Sequence, residues 1–325
     1  MRVYSKRAAR KPLRTFHGDS FMQSSQGELS LQNVLLLVFA TFLWGFNFVV
    51  IRWGLDEIPP LLFTGLRFAV CAFPAILLVP RPAAPVLWVI AFGLVFGVLQ
   101  FGCLFVAMAI GMPAGLASLV MQAQVFFTIL LALPFYGEKP NRLRWLALAL
   151  GAAGLLLIAA TRQGPAGLAP LALTLAGAAS WAIANILIKH MRGVRILSLV
   201  VWGSLAAPLP LLGLSLWVDG PQAVFAALSG LTASGAAAIV FTSLGATLIS
   251  FGIWGALLQR HTAAAVAPYA LLVPVFGLTT AYLFLGETPS PAEIWASLII
   301  FAALALNSYA VRVKPTPSPL PQNPH

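Results

Sequence analysis

Few residues of this 325-residue chain can do chemistry, and their placement narrows what that chemistry is. Asp and Glu number eight in all. Two of them, Glu138 and Glu287, stand at the same point of two versions of one phrase, LPFYGEKP at 133–140 and YLFLGETP at 282–289. All four His lie in tails or loops. The two cysteines, Cys71 and Cys103, lie in apolar runs without disulfide or metal-ligand spacing, and read as buried free thiols. The sequence has no H-E-x-x-H, no G-x-S-x-G and no G-x-x-x-x-G-K-[ST]. No nucleophile, base and orienting group can be drawn together from residues within its long apolar runs, and P-loop ATP hydrolysis is excluded. What remains are uncharged polar and aromatic side chains deep in apolar runs: Trp44, Asn47, Gln100, Ser118, Gln122, Gln124, Trp181, Asn185, Ser250, Trp254 and Tyr269. Such groups bind rather than react. An Asn or Gln amide both donates and accepts, which suits a carboxylate and an ammonium together.

The elements that must position these residues follow from composition. The chain is 60% hydrophobic and 8% charged, with mean hydropathy +0.93. A water-soluble domain carries roughly 25% charged residues, so this one belongs in a bilayer. A transmembrane helix needs about 20 apolar residues. Breaks at Gly, Pro and charges leave ten such runs, near 34–54, 60–79, 87–110, 114–135, 142–160, 168–188, 196–217, 237–258, 263–285 and 291–311.

The net charge of +11 would suggest nucleic acid in a soluble protein. Here it reports orientation. With a cytoplasmic N-terminus, 16 of the 19 Lys and Arg fall inside, Arg52 and Arg162 fall outside, and Arg67 lies within a span. The positive-inside rule then puts both termini in the cytoplasm. Trp53, Trp88, Trp145, Trp217 and Trp295 sit at span ends as an interfacial belt, whereas Trp44 and Trp181 lie near mid-membrane. Residues 1–30 read as a disordered basic tail rather than a signal peptide, with Met22 an alternative start, and 314–325 as a Pro-rich tail.

Residues 114–140 align without a gap on 263–289, sharing Gly137/Gly286, Glu138/Glu287 and Pro140/Pro289. WGFNFVVIR (44–52) faces WAIANILIK (181–189), and Phe101–Gly102 faces Phe251–Gly252. The expected fold is an all-α polytopic membrane protein, with repeats at 31–160 and 161–313. Five spans is an odd number, so the second half enters the membrane upside down. Inverted repeats are an architecture of alternating-access carriers.

Ten spans with a G-E-x-P hairpin after spans 4 and 9 resemble the EamA family of the drug/metabolite transporter superfamily. GLRF, GMPAGLASLVMQAQ, FGIWGALLQR and VAPYALLVPVFGL resemble more narrowly its exporters of cysteine and O-acetylserine. The resemblance covers roughly residues 31–311. It implies a basket in which spans 1, 3, 4, 6, 8 and 9 surround a cavity while 2, 5, 7 and 10 lie outside. It also implies export across the bacterial cytoplasmic membrane.

Polar residues within spans usually face protein or a water-filled cavity. Trp44 and Asn47 share a face of span 1, and Trp181 and Asn185 a face of span 6, so inversion should bring the two pairs together. The competing role for each Asn is an interhelical bond worth about 0.6 kcal/mol. Gln122 and Gln124 lie some 200° apart on a regular helix, so only one is expected to line the cavity fully. Gln100 and Ser250 align in the repeat. Tyr269 and Trp254 are expected as aromatic walls, and Pro268 and Pro274 as hinges in span 9. Arg67 lies about 10 Å from the start of span 2. It could clamp a carboxylate, but with span 2 outside the basket, snorkelling towards Asp56 or Glu57 is the favoured expectation. Glu138 and Glu287, at span ends, are expected to satisfy backbone donors and fix their hairpins. No acid lies mid-span, which excludes a proton relay built from such groups. The expected partners are a small zwitterionic metabolite and the lipid bilayer, with no nucleic acid, metal or cofactor. A nucleotide-sugar or sugar-phosphate carrier would want several mid-membrane cations, and only Arg67 is available. An intramembrane enzyme and a scaffold without a transport cycle are the rival readings from other classes.

Overall fold

The computed structural model describes residues 29–137, 140–161 and 167–312. Glu138 and its expected role in the first hairpin lie outside the described residues, as do 1–28 and 313–325. Among the described residues the fold is all-helical. Among those residues nine helices are long and apolar enough to cross a membrane, and a pair bent by 41°, taken as one span, makes a tenth. The first half holds span 1 (Leu31–Leu55), span 2 (Pro60–Leu78), span 3 (Val86–Ala109), span 4 (Ala114–Tyr136) and span 5 (Arg142–Thr161). The second holds span 6 (Ala169–His190), the bent span 7 (Ile196–Ala206 with Pro208–Val218), span 8 (Ala233–Arg260), span 9 (Ala267–Leu285) and span 10 (Pro291–Arg312).

Local chemistry sets the ends. The Ser30 hydroxyl accepts from the Asn33 amide and starts span 1. Span 10 opens with a reciprocal capping box between Ser290 and Glu293, at 2.8 and 3.3 Å, with Pro291 at its first helical position. Spans 4 and 9 both end on a glycine in the left-handed region, Gly137 (φ 64°) and Gly286 (φ 67°), where a side chain would be strained.

Two irregularities recur in both halves. Spans 3 and 8 each carry a π-wound stretch, Leu94–Phe101 and Phe241–Ile249, longer than the usual single-turn bulge. Spans 4 and 9 each break in their first half. Span 4 turns at Met121–Gln122, between helices Ala114–Val120 and Ala123–Tyr136. Span 9 tightens to a 3₁₀ stretch over Ala267–Leu271 before Leu272–Leu285, with the Ala263–Val266 turn ahead of it. Pro268 lies in that 3₁₀ stretch. Pro274 falls in the first turn of the helix that follows, where a missing N–H is tolerated. The two breaks touch, because the Gln122 side-chain amide donates to the Ala270 carbonyl at 3.1 Å.

Spans 5 and 10 pack on each other outside the central group, and span 1 packs along span 9. All five interfacial tryptophans named from the sequence are exposed at the bundle's outer surface, as belt residues should be.

Candidate functional site

A cavity of about 340 Å³ lies between the halves. Small-molecule sites run from roughly 300 to 1,000 Å³, so it suits a small ligand. Its polar lining comes from Asn47, Arg67, Gln100, Ser118, Gln122, Gln124 and Asn185, and its aromatic lining includes Trp44, Phe101, Trp181, Phe251 and Trp254. Among the described residues the lining includes no Asp or Glu, and no cluster of possible metal ligands occurs.

One wall is aromatic. The Trp44 ring lies 5.1 Å from Phe251 and 5.3 Å from Trp254, and its indole N–H donates to the Ala246 carbonyl at 2.8 Å, inside the π-wound stretch of span 8. The polar side divides into groups already bonded and groups left open. Asn185 Nδ2 donates to Gln124 Oε1 (2.9 Å) and Thr128 Oγ1 (3.2 Å), tying span 6 to span 4. The Ser118 hydroxyl donates to the Gly115 carbonyl. By contrast, Asn47 Oδ1, both amide atoms of Gln100, and Nε and Nη1 of Arg67 are buried with no hydrogen-bond partner. Buried polar atoms are nearly always paired, so a group of unpaired ones on residues that line a cavity makes it the candidate place for a ligand to complete the bonding.

Several residues stand elsewhere than the sequence pattern suggests. Gln122 and Gln124 both line the cavity, the first from the turn at Met121–Gln122 and the second from the helix that follows it. The Trp44/Asn47 and Trp181/Asn185 pairs line one cavity, but their recorded polar bonds go to other spans rather than to each other. Ser250 is fully buried and is not in the lining; its hydroxyl donates to Gly245 O, five residues back, at 3.0 Å. Tyr269 packs instead in a small cluster with Leu37, Leu257 and Val266.

Spans 2 and 7 do not stay outside. Ile196 and Val200 of span 7 reach the cavity, and so does Arg67 of span 2. Arg67 is 1% exposed and does not snorkel. The acids it was expected to approach are engaged otherwise, Asp56 with Arg52 at 2.5 Å and Glu57 with Thr232 and Ser234. Those hydroxyls, Ser234 first, hold the exposed Glu57 carboxyl below its ordinary pKa. No local sequence signal distinguished an inward from an outward Arg67.

Glu287 does satisfy backbone donors, but across the halves. Its carboxylate accepts from the amides of Ala114 (2.7 Å) and Gly115 (2.9 Å) at the start of span 4. This clamp joins the two halves at one end of the bundle. Towards the other end the lining residues Ile188, Ile196, Trp254 and Leu258 are only half-buried.

Two five-span halves of opposite sense around such a cavity define a polytopic membrane carrier built from a duplicated unit. The profile of the EamA-like transporter family matches residues 31–160 and again 168–309, and the chain belongs to that family. It is 40% identical over 294 residues to the "Probable amino-acid metabolite efflux pump" of Salmonella typhimurium, covering 89% of this chain and 98% of that protein. It is 38% identical over 290 residues to the protein of the same description in Escherichia coli K12, covering 87% and 97%. A solved crystal structure 22% identical superposes with a TM-score of 0.58, covering 86% of this chain and 98% of its own, and shares the fold.

Proposed function

We propose that this protein is a secondary exporter of small zwitterionic amino-acid metabolites of the cysteine and O-acetylserine kind. It works by alternating access through the cavity between its halves. It resides in a bacterial cytoplasmic membrane with both termini on the cytoplasmic side, as the 16-to-2 split of Lys and Arg favours. The observation that carries the reading is the small cavity with unpaired Asn47 and Gln100 amide atoms beside the Trp44–Trp254 wall. An amide oxygen can receive an ammonium group, and the ring faces attract it further. The names of the two efflux-pump relatives support the substrate class.

The Glu287 clamp lies at the end away from the termini, and the half-buried lining lies towards the termini. That arrangement fits a cytoplasm-facing state awaiting substrate. With no acid in the described lining, export is driven by the substrate gradient, by exchange or by the substrate's own charge.

The test is flux from proteoliposomes loaded with labelled cysteine or O-acetylserine, with and without an imposed pH gradient. Export of either amino acid supports the reading. No flux of either sinks the substrate assignment, and flux strictly dependent on the gradient sinks the argument against proton coupling.

A further inference from the structure

Arg67 stands apart from the other charged residues. It lies about 10 Å into span 2, is 1% exposed and lines the cavity. No carboxylate within 4 Å pairs with it among the described residues. A buried cation is normally paired or neutralised, because desolvation penalises the charged form heavily. Here partial compensation comes from neutral groups. Nη2 donates to Thr247 Oγ1 at 2.7 Å and to the Thr242 carbonyl at 3.2 Å, both in the π-wound stretch of span 8. The guanidinium carbon stands 4.1 Å from the centre of the Phe101 ring and 5.1 Å from that of Phe68. The Ser243 hydroxyl donates to the Arg67 carbonyl at 2.8 Å, fixing the backbone from which the side chain projects. These contacts hold one nitrogen and leave Nε and Nη1 with no partner.

We infer that Arg67 is the receptor for the substrate's carboxylate, and that the site selects solutes carrying one free carboxylate. The inference rests on the exporter reading above and deepens it. The carboxylate lies against Nε or Nη1 of Arg67, and the ammonium takes the open oxygens of Asn47 and Gln100. Gln100 is next in sequence to Phe101, the ring under the guanidinium, and all three residues line the same cavity. The described lining carries one positive charge and no negative one. A zwitterion therefore brings the missing anion and adds no net charge. A carboxylate-free amine adds a second cation to the same low-dielectric space, and a phosphate dianion overcompensates.

The test uses the full-length protein in detergent with three probes of similar size: cysteine, cysteamine, which lacks the carboxylate, and 3-mercaptopropionate, which lacks the amine. Ligand-induced shifts in thermal unfolding report binding. The expected order is cysteine first, 3-mercaptopropionate about 10-fold weaker, and cysteamine roughly 100-fold weaker. In Arg67→Met the apolar side chain fills the volume without a charge. Its unliganded unfolding temperature should equal or exceed that of the wild type, since an unpaired buried cation is removed, while stabilisation by cysteine is lost. Arg67→Lys keeps the charge but not the spread of donors, and should bind cysteine at least 10-fold more weakly. Cysteamine stabilising the wild type as well as cysteine does would overturn the inference. So would Arg67→Met unfolding at lower temperature yet still discriminating cysteine from cysteamine. Should Arg67→Met not fold, the three-probe order on the wild type decides. Should cysteine neither bind nor be exported, the substrate reading fails. The same comparison is then run with alanine, ethylamine and propionate, and Arg67 stands or falls on whether the carboxylate is required.

Discussion

The two halves wind alike and carry different chemistry. Spans 3 and 8 are both π-wound, and spans 4 and 9 both break at aligned points, Met121–Gln122 and Ala270–Leu271. Yet every unpaired polar group of the cavity, on Asn47, Arg67 and Gln100, comes from the first half. The second half supplies Trp181, Phe251, Trp254 and aliphatic walls, with Asn185 already bonded to Gln124. The junctions between outer and π-wound spans show the same split. Span 2 meets span 8 through the Arg67 guanidinium, whereas span 7 meets span 3 through bare backbone, where a Cβ on Gly93 would fall 2.1 Å from the Gly203 carbonyl oxygen. Duplication supplied the scaffold twice, and the unpaired polar groups of the cavity stand on one copy only.

The strongest way to break that comparison is at the glycine junction. Gly93→Val presses a branched side chain into backbone on a rigid neighbour and should destabilise by about 3 kcal/mol or more, seen as loss of monodisperse protein after solubilisation. Glu287→Ala removes the acceptor for two amides that start span 4 and should lower stability by about 2 kcal/mol, read as a fall in unfolding temperature. Next comes the pair Asn47→Ala and Asn185→Ala. If the first half carries the chemistry, Asn47→Ala lowers export about 10-fold with unfolding temperature unchanged. Asn185→Ala instead loosens spans 4 and 6 by about 0.6 kcal/mol and changes export less. Equal losses of export from both would restore a symmetric site.

The smallest effect concerns Glu57, bonded by Thr232 and Ser234 across the loop between spans 1 and 2 and the start of span 8. Its carboxyl pKa is lowered on folding, so the stabilisation is present above the ordinary carboxyl range and is lost as pH falls through the folded value. A Thr232→Val/Ser234→Ala double variant should unfold slightly lower than wild type at neutral pH, and the difference should shrink as pH falls below the ordinary carboxyl range.

Membrane class, ten crossings, the belt tryptophans and the repeat could all be read from the sequence, because each depends on hydrophobicity, charge or spacing along the chain alone. Nine of the eleven candidate cavity residues do line the cavity, since uncharged polar and aromatic groups deep in apolar runs have few other places to go. The two exceptions have local causes. Ser250 aligns with Gln100 in sequence, but π-winding sends its hydroxyl to Gly245. Tyr269, in the 3₁₀ stretch of span 9, packs against Leu37, Leu257 and Val266 instead. Gln122 and Gln124 share the cavity because Gln122 lies in the turn that interrupts span 4 and Gln124 in the helix that follows.

The partners of Arg67 and Glu287 lay beyond any such reading. Composition shows that an arginine within a span is costly, and not which way it points. Its direction is set by carbonyl and hydroxyl groups of span 8, 175 and 180 residues away in the chain. Glu287 was expected to cap its own hairpin, and instead caps the start of span 4, 173 residues back. Local sequence settles what each segment must bury. The partners that satisfy its last polar atoms are chosen by packing between distant segments, and there the outline of a carrier becomes a site with one open cation and two open amides.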